Sequence, residues 1–109
     1  MEIQDATAAL AALSQETRLK VFRHLVAAGP AGKQAGSISD ALEVAAPTLS
    51  FHMKELEHAG LVRQRRAGRN IIYSANYDGM RALLSYLMED CCGGRPEICD
   101  LEIKACCPA

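Results

Sequence analysis

The sequence predicts a mainly α-helical domain with one β-hairpin. Apolar residues recur at helical spacing over the first 60 residues and again from residue 77 onward. Between these regions, the segment LVRQRRAGRNIIYSA changes to a strand-like pattern around a glycine-containing turn. A length of 109 residues fits one domain. We therefore expect a folded unit at residues 1–90, followed by a cysteine-rich tail at residues 91–109.

The first two helices are predicted at residues 3–12 and 15–28. The first is rich in alanine, whereas the second carries apolar side chains such as Leu19 at the spacing of one helix face. Ser14 is the expected N-cap of the second helix, because its hydroxyl can accept a hydrogen bond from a free backbone N–H. A Gly-Pro pair ends this helix.

Two further helices follow, a short one at residues 37–42 and a longer one at residues 47–59. Ser37 and Asp40 have the spacing of a capping box at the start of the short helix. Pro47 suits the first turn of the longer helix, since the N–H that proline lacks would have no partner there. The glycine that follows residue 59 suits the end of that helix.

Two strands at residues 62–66 and 71–74 are predicted to flank a turn at residues 67–69. A last helix with a wide apolar stripe is predicted at residues 77–90. A short helix, a tight turn, a longer helix and then a hairpin is the order of elements in a winged helix-turn-helix. The sequence therefore predicts this fold.

The net charge of −1 is distributed unevenly along the chain. Residues 1–88 carry ten Lys/Arg and eight Asp/Glu, whereas residues 89–109 carry two basic and five acidic residues. A polyanion should therefore meet the body rather than the tail. No segment approaches the roughly 18 to 20 apolar residues of a membrane span, and the N-terminus lacks a basic signal-peptide region. We expect a cytoplasmic protein without a membrane partner.

Candidate DNA contacts lie on the longer helix and on the hairpin. Helical phasing places Leu49, Met53 and Leu56 on the core face, so the opposite side and the N-terminal end are available to a major groove. The arginine-rich hairpin could lie along DNA phosphates, although charge also protects edge strands from aggregation. The candidates are Thr48, Ser50, Phe51, His52, Lys54, Arg65, Arg66 and Arg69.

Two of these candidates have structural alternatives. Phe51 could touch a thymine methyl group, or it could pack against a neighbouring loop. His52 lies nearer the apolar face of its helix, so a half-buried structural histidine fits this position as well as a DNA contact does.

Three stretches of the sequence resemble the ArsR/SmtB family of metalloregulatory repressors. They are ALSQETRLKVFRHL, APTLSFHMKELEHAGLV and RRAGRNIIYS, and they span roughly residues 10–75. The resemblance implies a homodimer that forms through the first and last helices. It also implies binding to double-stranded operator DNA, with release when an inducing ion binds.

The sequence departs from this family at its usual sensing sites. The helix SISDALEV lacks the C-x-C motif of many members, and residues 77–90 contain no histidine for a zinc site on the last helix. The chain instead resembles the arsenic-responsive subgroup whose cysteine site follows the last helix. This resemblance implies a winged helix-turn-helix DNA-binding and dimerisation domain at residues 1–90 and a cysteine-rich sensing tail at residues 91–109.

All five cysteines follow the last predicted helix. Gly-Gly and a proline between Cys92 and Cys99 would let the chain fold back, so that the thiolates of Cys91, Cys92 and Cys99 converge on one ion. Three thiolates suit As(III), with Sb(III) as a second inducer. Zinc is disfavoured because structural zinc sites commonly use four ligands in spaced pairs. Cys106 and Cys107 are auxiliary candidates, and we expect no organic cofactor.

Two other functions stay open at this point. The thiols could sense oxidants or persulfides, or they could bind cadmium, lead or zinc. A thiol-based arsenate reductase is disfavoured, because Cys91 and Cys92 follow the C-terminal end of a helix, where partial negative charge opposes thiolate formation. The sequence therefore predicts an arsenite-responsive repressor rather than an enzyme.

Overall fold

The computed structural model describes residues 1–88, and the predicted tail at residues 91–109 lies outside the described residues. Within residues 1–88, no helix is both long enough and apolar enough to cross a bilayer. The helices and strands confirm the predicted mainly α fold with a hairpin. In chain order they are α1 (Ile3–Leu13), α2 (Glu16–Ala28), β1 (Lys33–Gln34), α3 (Ala35–Leu42), α4 (Ala46–His58), β2 (Val62–Ala67), β3 (Asn70–Ala75) and α5 (Tyr77–Met88).

The starts of two helices differ from the prediction. Gln15, not Ser14, caps α2, because the Gln15 side chain accepts a hydrogen bond from the backbone N–H of Arg18 at 2.9 Å. Ser14 instead ends α1, where its hydroxyl donates to the carbonyl of Ala11 at 2.7 Å. The predicted capping box at Ser37 does not form, because the chain passes from β1 directly into α3 two residues earlier.

A three-residue turn at residues 43–45 joins α3 to α4. Glu43 ends α3 in the left-handed conformation with φ of 54°. The backbone N–H of Val44 donates to the carbonyl of Ser39 at 3.0 Å, and the Ser39 hydroxyl donates to the carbonyl of Val44. These bonds satisfy groups at the end of α3 and fix the direction in which α4 leaves the turn.

The C-terminal end of α4 is capped as the sequence predicted. Gly60 follows the helix with φ of 77°, a conformation that glycine adopts readily. The N–H of Gly60 donates to the carbonyl of Glu57, and the N–H of Leu61 donates to that of Leu56, both at 3.0 Å. This pair of bonds is a Schellman motif, which stops the helix and turns the chain into β2.

The predicted hairpin is present and reaches one residue further toward its tip. Ala67 pairs with Asn70, so that only Gly68 and Arg69 form the turn, with φ of 64° at Gly68. The short strand β1 was not predicted, and it pairs antiparallel with β3 to give the order β1-β3-β2. Two residues are too few for an alternating pattern to show in the sequence.

The core lies where the helices meet the inner face of the sheet. As predicted, Leu49, Met53 and Leu56 of α4 are buried, each at most 2% exposed. Burial of one such side chain stabilises the fold by about 1.5 to 3 kcal/mol. In α2, Val21 rather than Leu19 occupies the core, and Leu19 is 42% exposed. Packing therefore fixes which side of α4 faces outward.

The two terminal helices of the described chain leave apolar side chains uncovered. In the predicted stripe of α5, Leu83 is buried at 4% exposure, whereas Leu87 is 51% exposed. Helix α1 packs beside α5 and exposes Ile3 at 68% and Leu10 at 43%. We refer to the exposed parts of these three side chains together as the exposed apolar surface on α1 and α5.

Candidate nucleic-acid interface

Helix α4 presents a continuous exposed side beginning at its N-terminal turn. Thr48, Ser50, Phe51 and Lys54 are all exposed there. The opposite side is fixed in the core, so the helix offers only this surface to a partner. Hydroxyls, a cationic side chain and an aromatic ring on the outer side of such a helix are suited to a major groove and its phosphates.

His52 does not belong to this exposed side. It is only 7% exposed, and its Nδ1 lies 3.4 Å from a terminal guanidinium nitrogen of Arg18 in α2. Burial, and then the charge of Arg18, lower the pKa of His52 from its ordinary value of 6.5. A neutral ring can accept the hydrogen bond from Arg18. The predicted DNA contact by His52 therefore conflicts with its position, and the structural alternative fits.

Phe51 lies on the exposed side of α4 at 56% exposure. Its ring meets that of His52 edge to face, with centroids 5.7 Å apart and an interplanar angle of 61°. Aromatic pairs favour this arrangement. The buried His52 ring thus contacts the exposed Phe51 ring, and within residues 1–88 Phe51 is not buried against a neighbouring loop.

Arg18 is a residue that the sequence analysis missed. Its Nε donates to the carbonyl of Ala12 in α1 at 2.8 Å, while its guanidinium reaches His52 in α4. One side chain thus joins α1, α2 and α4. Its spacing from the buried Val21, Phe22 and Leu25 places it on the inner face of α2, a signal that the sequence contained.

The arginines of the wing, the hairpin formed by β2 and β3, have different surroundings. Arg65 donates to the carbonyl of Ala31 at 3.2 Å, and Arg63 lies 3.5 Å from the carboxylate of Asp78. Arg66 and Arg69 are exposed, and neither forms an ion pair or side-chain hydrogen bond within residues 1–88. These two are therefore the predicted wing cations best placed to meet phosphates.

The thiols of the predicted sensing site cannot be placed in this interface. Cys91, Cys92, Cys99, Cys106 and Cys107 all lie outside the described residues. Within residues 1–88, no three His, Cys, Asp or Glu side chains are grouped closely enough to hold a metal ion.

Comparison with known proteins relates the described fold to DNA-binding proteins. A family profile described as a helix-turn-helix domain matches residues 13–65, the segment from the end of α1 through most of β2. No curated protein sequence matches the chain significantly. The solved structure of an ArsR-like transcriptional regulator from Rhodococcus sp. RHA1 is similar, with 25% identity and a TM-score of 0.73. The similarity covers 92% of each chain.

Two other solved structures give the same result. A homodimeric winged helix-turn-helix DNA-binding domain from Mycobacterium bovis, a possible ArsR-family regulator, has 25% identity and a TM-score of 0.66 over 81% of this chain and 82% of that one. HlyU from Vibrio cholerae has 26% identity and a TM-score of 0.66 over 84% and 99%; its reduced form is also similar. The chain carries a winged helix-turn-helix domain, and these comparisons support a transcriptional regulator of the ArsR family.

Proposed function

We propose that this chain is a repressor that binds operator DNA as a dimer and releases it on binding arsenite. The observation that carries the proposal is the position of the thiols. The described part of α5 runs to Met88, and the first cysteine pair follows in the sequence at Cys91 and Cys92. All five cysteines of the sequence belong to this C-terminal segment. A ligand bound there would act on the chain directly after α5.

The operator-binding surface in this proposal combines α4 and the wing. Thr48, Ser50 and Phe51 read base edges, while Lys54 contacts phosphate. Arg66 and Arg69 hold the DNA backbone beside the helix, because both are exposed on the hairpin. Residues 1–88 carry two more basic than acidic groups, and this net positive charge favours binding to a polyanion such as DNA.

Dimerisation is supported by the exposed apolar surface on α1 and α5. Ile3, Leu10 and Leu87 expose between 43% and 68% of their surface. The similar domain from Mycobacterium bovis is homodimeric. A two-fold dimer presents two copies of α4, which suits a pseudo-palindromic operator.

The inducer proposed is As(III) held by the thiolates of Cys91, Cys92 and Cys99. Thiolates prefer soft ions, and three sulfurs satisfy trivalent arsenic or antimony. Cys106 and Cys107 are auxiliary thiols that would hand the ion to the primary set. Arsenite would bind one arrangement of α5 more tightly than another. This difference in its affinity for the two arrangements would drive the release of DNA.

The test is release of operator DNA by thiophilic ions. An operator is first selected from random duplex DNA, and the bound protein is then titrated with arsenite, antimonite, cadmium and zinc. Arsenite should lower operator affinity by about 5- to 150-fold, the usual range of coupling between two sites. Cys91→Ser, Cys92→Ser and Cys99→Ser should each lose this response and keep their affinity for the operator.

Cys106→Ser and Cys107→Ser are the matched controls, and both should respond like the wild type. Loss of the response in these two variants alone would show that the primary ligand set is wrong. An operator affinity that does not change with arsenite in the wild type would refute the proposal.

A second candidate is a sensor of thiol oxidation. Two observations favour it: adjacent thiols in the tail, and similarity to HlyU, which is known in a reduced form. Peroxide would oxidise the thiol of Cys92 or Cys99 to a sulfenic acid. The sulfenic acid would condense with a second thiol of the tail to a disulfide, with loss of water, and the disulfide would alter DNA binding. Release by peroxide but not by arsenite, with reversal by a thiol reductant, would select this function instead.

A further inference from the structure

The start of α5 is bonded to the end of α4 through one asparagine. Asn76 directly precedes α5, and its side-chain Nδ2 donates to the carbonyl of Gly60 at 2.8 Å. Its backbone N–H donates to the carbonyl of Leu61, also at 2.8 Å. Two successive carbonyls between α4 and β2 thus accept hydrogen bonds from a single residue.

Gly79 lets α5 approach this point closely. A Cβ at this position would overlap the carbonyl oxygen of Gly60 and would lie 3.1 Å from the Nδ2 of Asn76. The N–H of Gly79 in turn donates to the side-chain oxygen of Asn76 at 3.2 Å. Glycine is among the weakest helix formers, so its presence in the first turn of α5 is explained by this contact.

The same two residues that accept from Asn76 also end α4. Gly60 and Leu61 donate their N–H groups back to Glu57 and Leu56. Their backbone is therefore held on one side by the recognition helix α4 and on the other side by Asn76. We call Gly60, Leu61, Asn76 and Gly79 the α4–α5 junction.

A second contact beside the junction joins the wing to α5. Arg63 of β2 lies 3.5 Å from the carboxylate of Asp78, which also accepts a hydrogen bond from Arg81 at 2.8 Å. These side chains are largely exposed, so the pair adds little to the rigidity of the junction. The half-buried Asn76, by contrast, connects α5 to the end of α4 through hydrogen bonds to two backbone carbonyls.

We propose that Asn76 and Gly79 are positioning residues that hold the recognition helix and the wing in a fixed orientation relative to α5. Because β2 begins directly after Leu61, α4 and the wing both depend on the position of this junction. A displacement of α5 would therefore change how both DNA-contacting elements are presented. Under the proposed function, which this step assumes, a ligand in the segment after α5 acts on DNA binding through the junction.

Two variants test the junction in the full-length dimer. Asn76→Asp keeps an oxygen that accepts from the N–H of Gly79, but it removes the donor to Gly60 and places a carboxylate against that carbonyl. Gly79→Ala inserts the overlapping Cβ. Each variant should lower the ratio of operator affinity to random-duplex affinity by at least about tenfold, as expected when base contacts are misplaced.

Gly36→Ala is the matched control, since a Cβ at Gly36 in α3 has no neighbour within 4 Å. It should keep the wild-type affinity ratio. Melting temperature and sedimentation identify the variants that remain folded dimers, and the isosteric Asn76→Asp provides the measurement if Gly79→Ala unfolds. A folded Asn76→Asp dimer with a wild-type ratio and only a lower melting temperature would overturn the proposal.

The arsenite response separates this inference from the proposed function. If arsenite releases the wild type, then Asn76→Asp should bind arsenite with unchanged stoichiometry and show a release at least about fivefold smaller. A wild-type release in that variant overturns the inference. If arsenite does not release the wild type, the proposed function fails, and the affinity ratio measured without arsenite still decides the role of the junction.

Discussion

His52 is buried because its ring lies where α2 and α4 meet, and Arg18 supplies the hydrogen bond that the buried nitrogen needs. The helical phase placed His52 between the apolar and polar faces of α4, so the sequence left two roles open. Only the packing of α2 against α4 decided between them. The neutral ring supports Phe51, so this buried contact shapes the exposed surface.

The lowered pKa of His52 makes stability depend on pH. The unfolded chain binds a proton at His52 more tightly than the folded chain does. The stability that the buried His52 contributes is therefore complete above about pH 6.5, and it is lost as the pH falls through the lower pKa of the folded state. His52→Gln should therefore lose less free energy of unfolding than the wild type between about pH 7.5 and pH 5.5. Urea unfolding at both pH values measures the difference.

His58→Gln is the control, because this histidine lies on the exposed side of the same helix. It should lose as much stability as the wild type over the same interval. Equal losses in all three proteins would show that His52 does not cause the pH dependence.

At the scale of elements, the helix-turn-helix and the wing were predictable because their signals are local. Pro47 and Gly60 indicated the ends of α4, and the change from helical to alternating pattern indicated the hairpin. The start of α3 was predicted wrongly, because β1 forms only by pairing with β3, a contact between distant parts of the chain. The partner of a wing arginine likewise comes from a distant part of the chain, since Arg65 donates a hydrogen bond to the carbonyl of Ala31.

Arg69 at the turn of the wing should contribute to DNA binding through a phosphate contact. Arg69→Ala removes a cation that is exposed at the hairpin turn, so it should weaken operator and random DNA alike. The slope of log affinity against log salt is negative, and its magnitude should become smaller by about 0.9 per wing, the value for one phosphate contact. Fluorescence anisotropy over a range of salt concentrations provides the slopes.

Arg81→Ala serves as the comparison, because Arg81 is paired with Asp78 on α5 and is not part of the wing. Its slope should equal that of the wild type. A smaller slope for Arg81→Ala, with no change for Arg69→Ala, would place the phosphate contacts on α5 rather than on the wing.

At the scale of the whole molecule, the proposed dimer would account for the exposed apolar residues on α1 and α5. The apolar stripe of α5 is wider than the core requires, since Leu83 is buried and Leu87 is half exposed. Single exposed apolar residues are common on monomers, but here three occur on two adjacent helices. Dimerisation would remove this surface from water.

Leu87→Glu should dissociate the dimer, because it places a charge in the proposed interface. Sedimentation should show a shift toward monomer, and operator affinity should fall because two half-sites are no longer bound together. Leu19→Glu changes another exposed leucine, on α2, and should remain dimeric. Dissociation by Leu19→Glu instead would place the interface on α2.

The sequence by itself determined the order of the helices and the hairpin, the core face of α4 and the basic character of the wing. These properties depend on local periodicity, caps and turn residues, which neighbouring positions record. The tertiary structure alone decided that Arg18 holds His52, that β1 joins the sheet, and that Asn76 and Gly79 join α5 to α4. Each of these contacts joins residues that lie far apart in the chain, and no local pattern specifies which partner a buried polar group will meet.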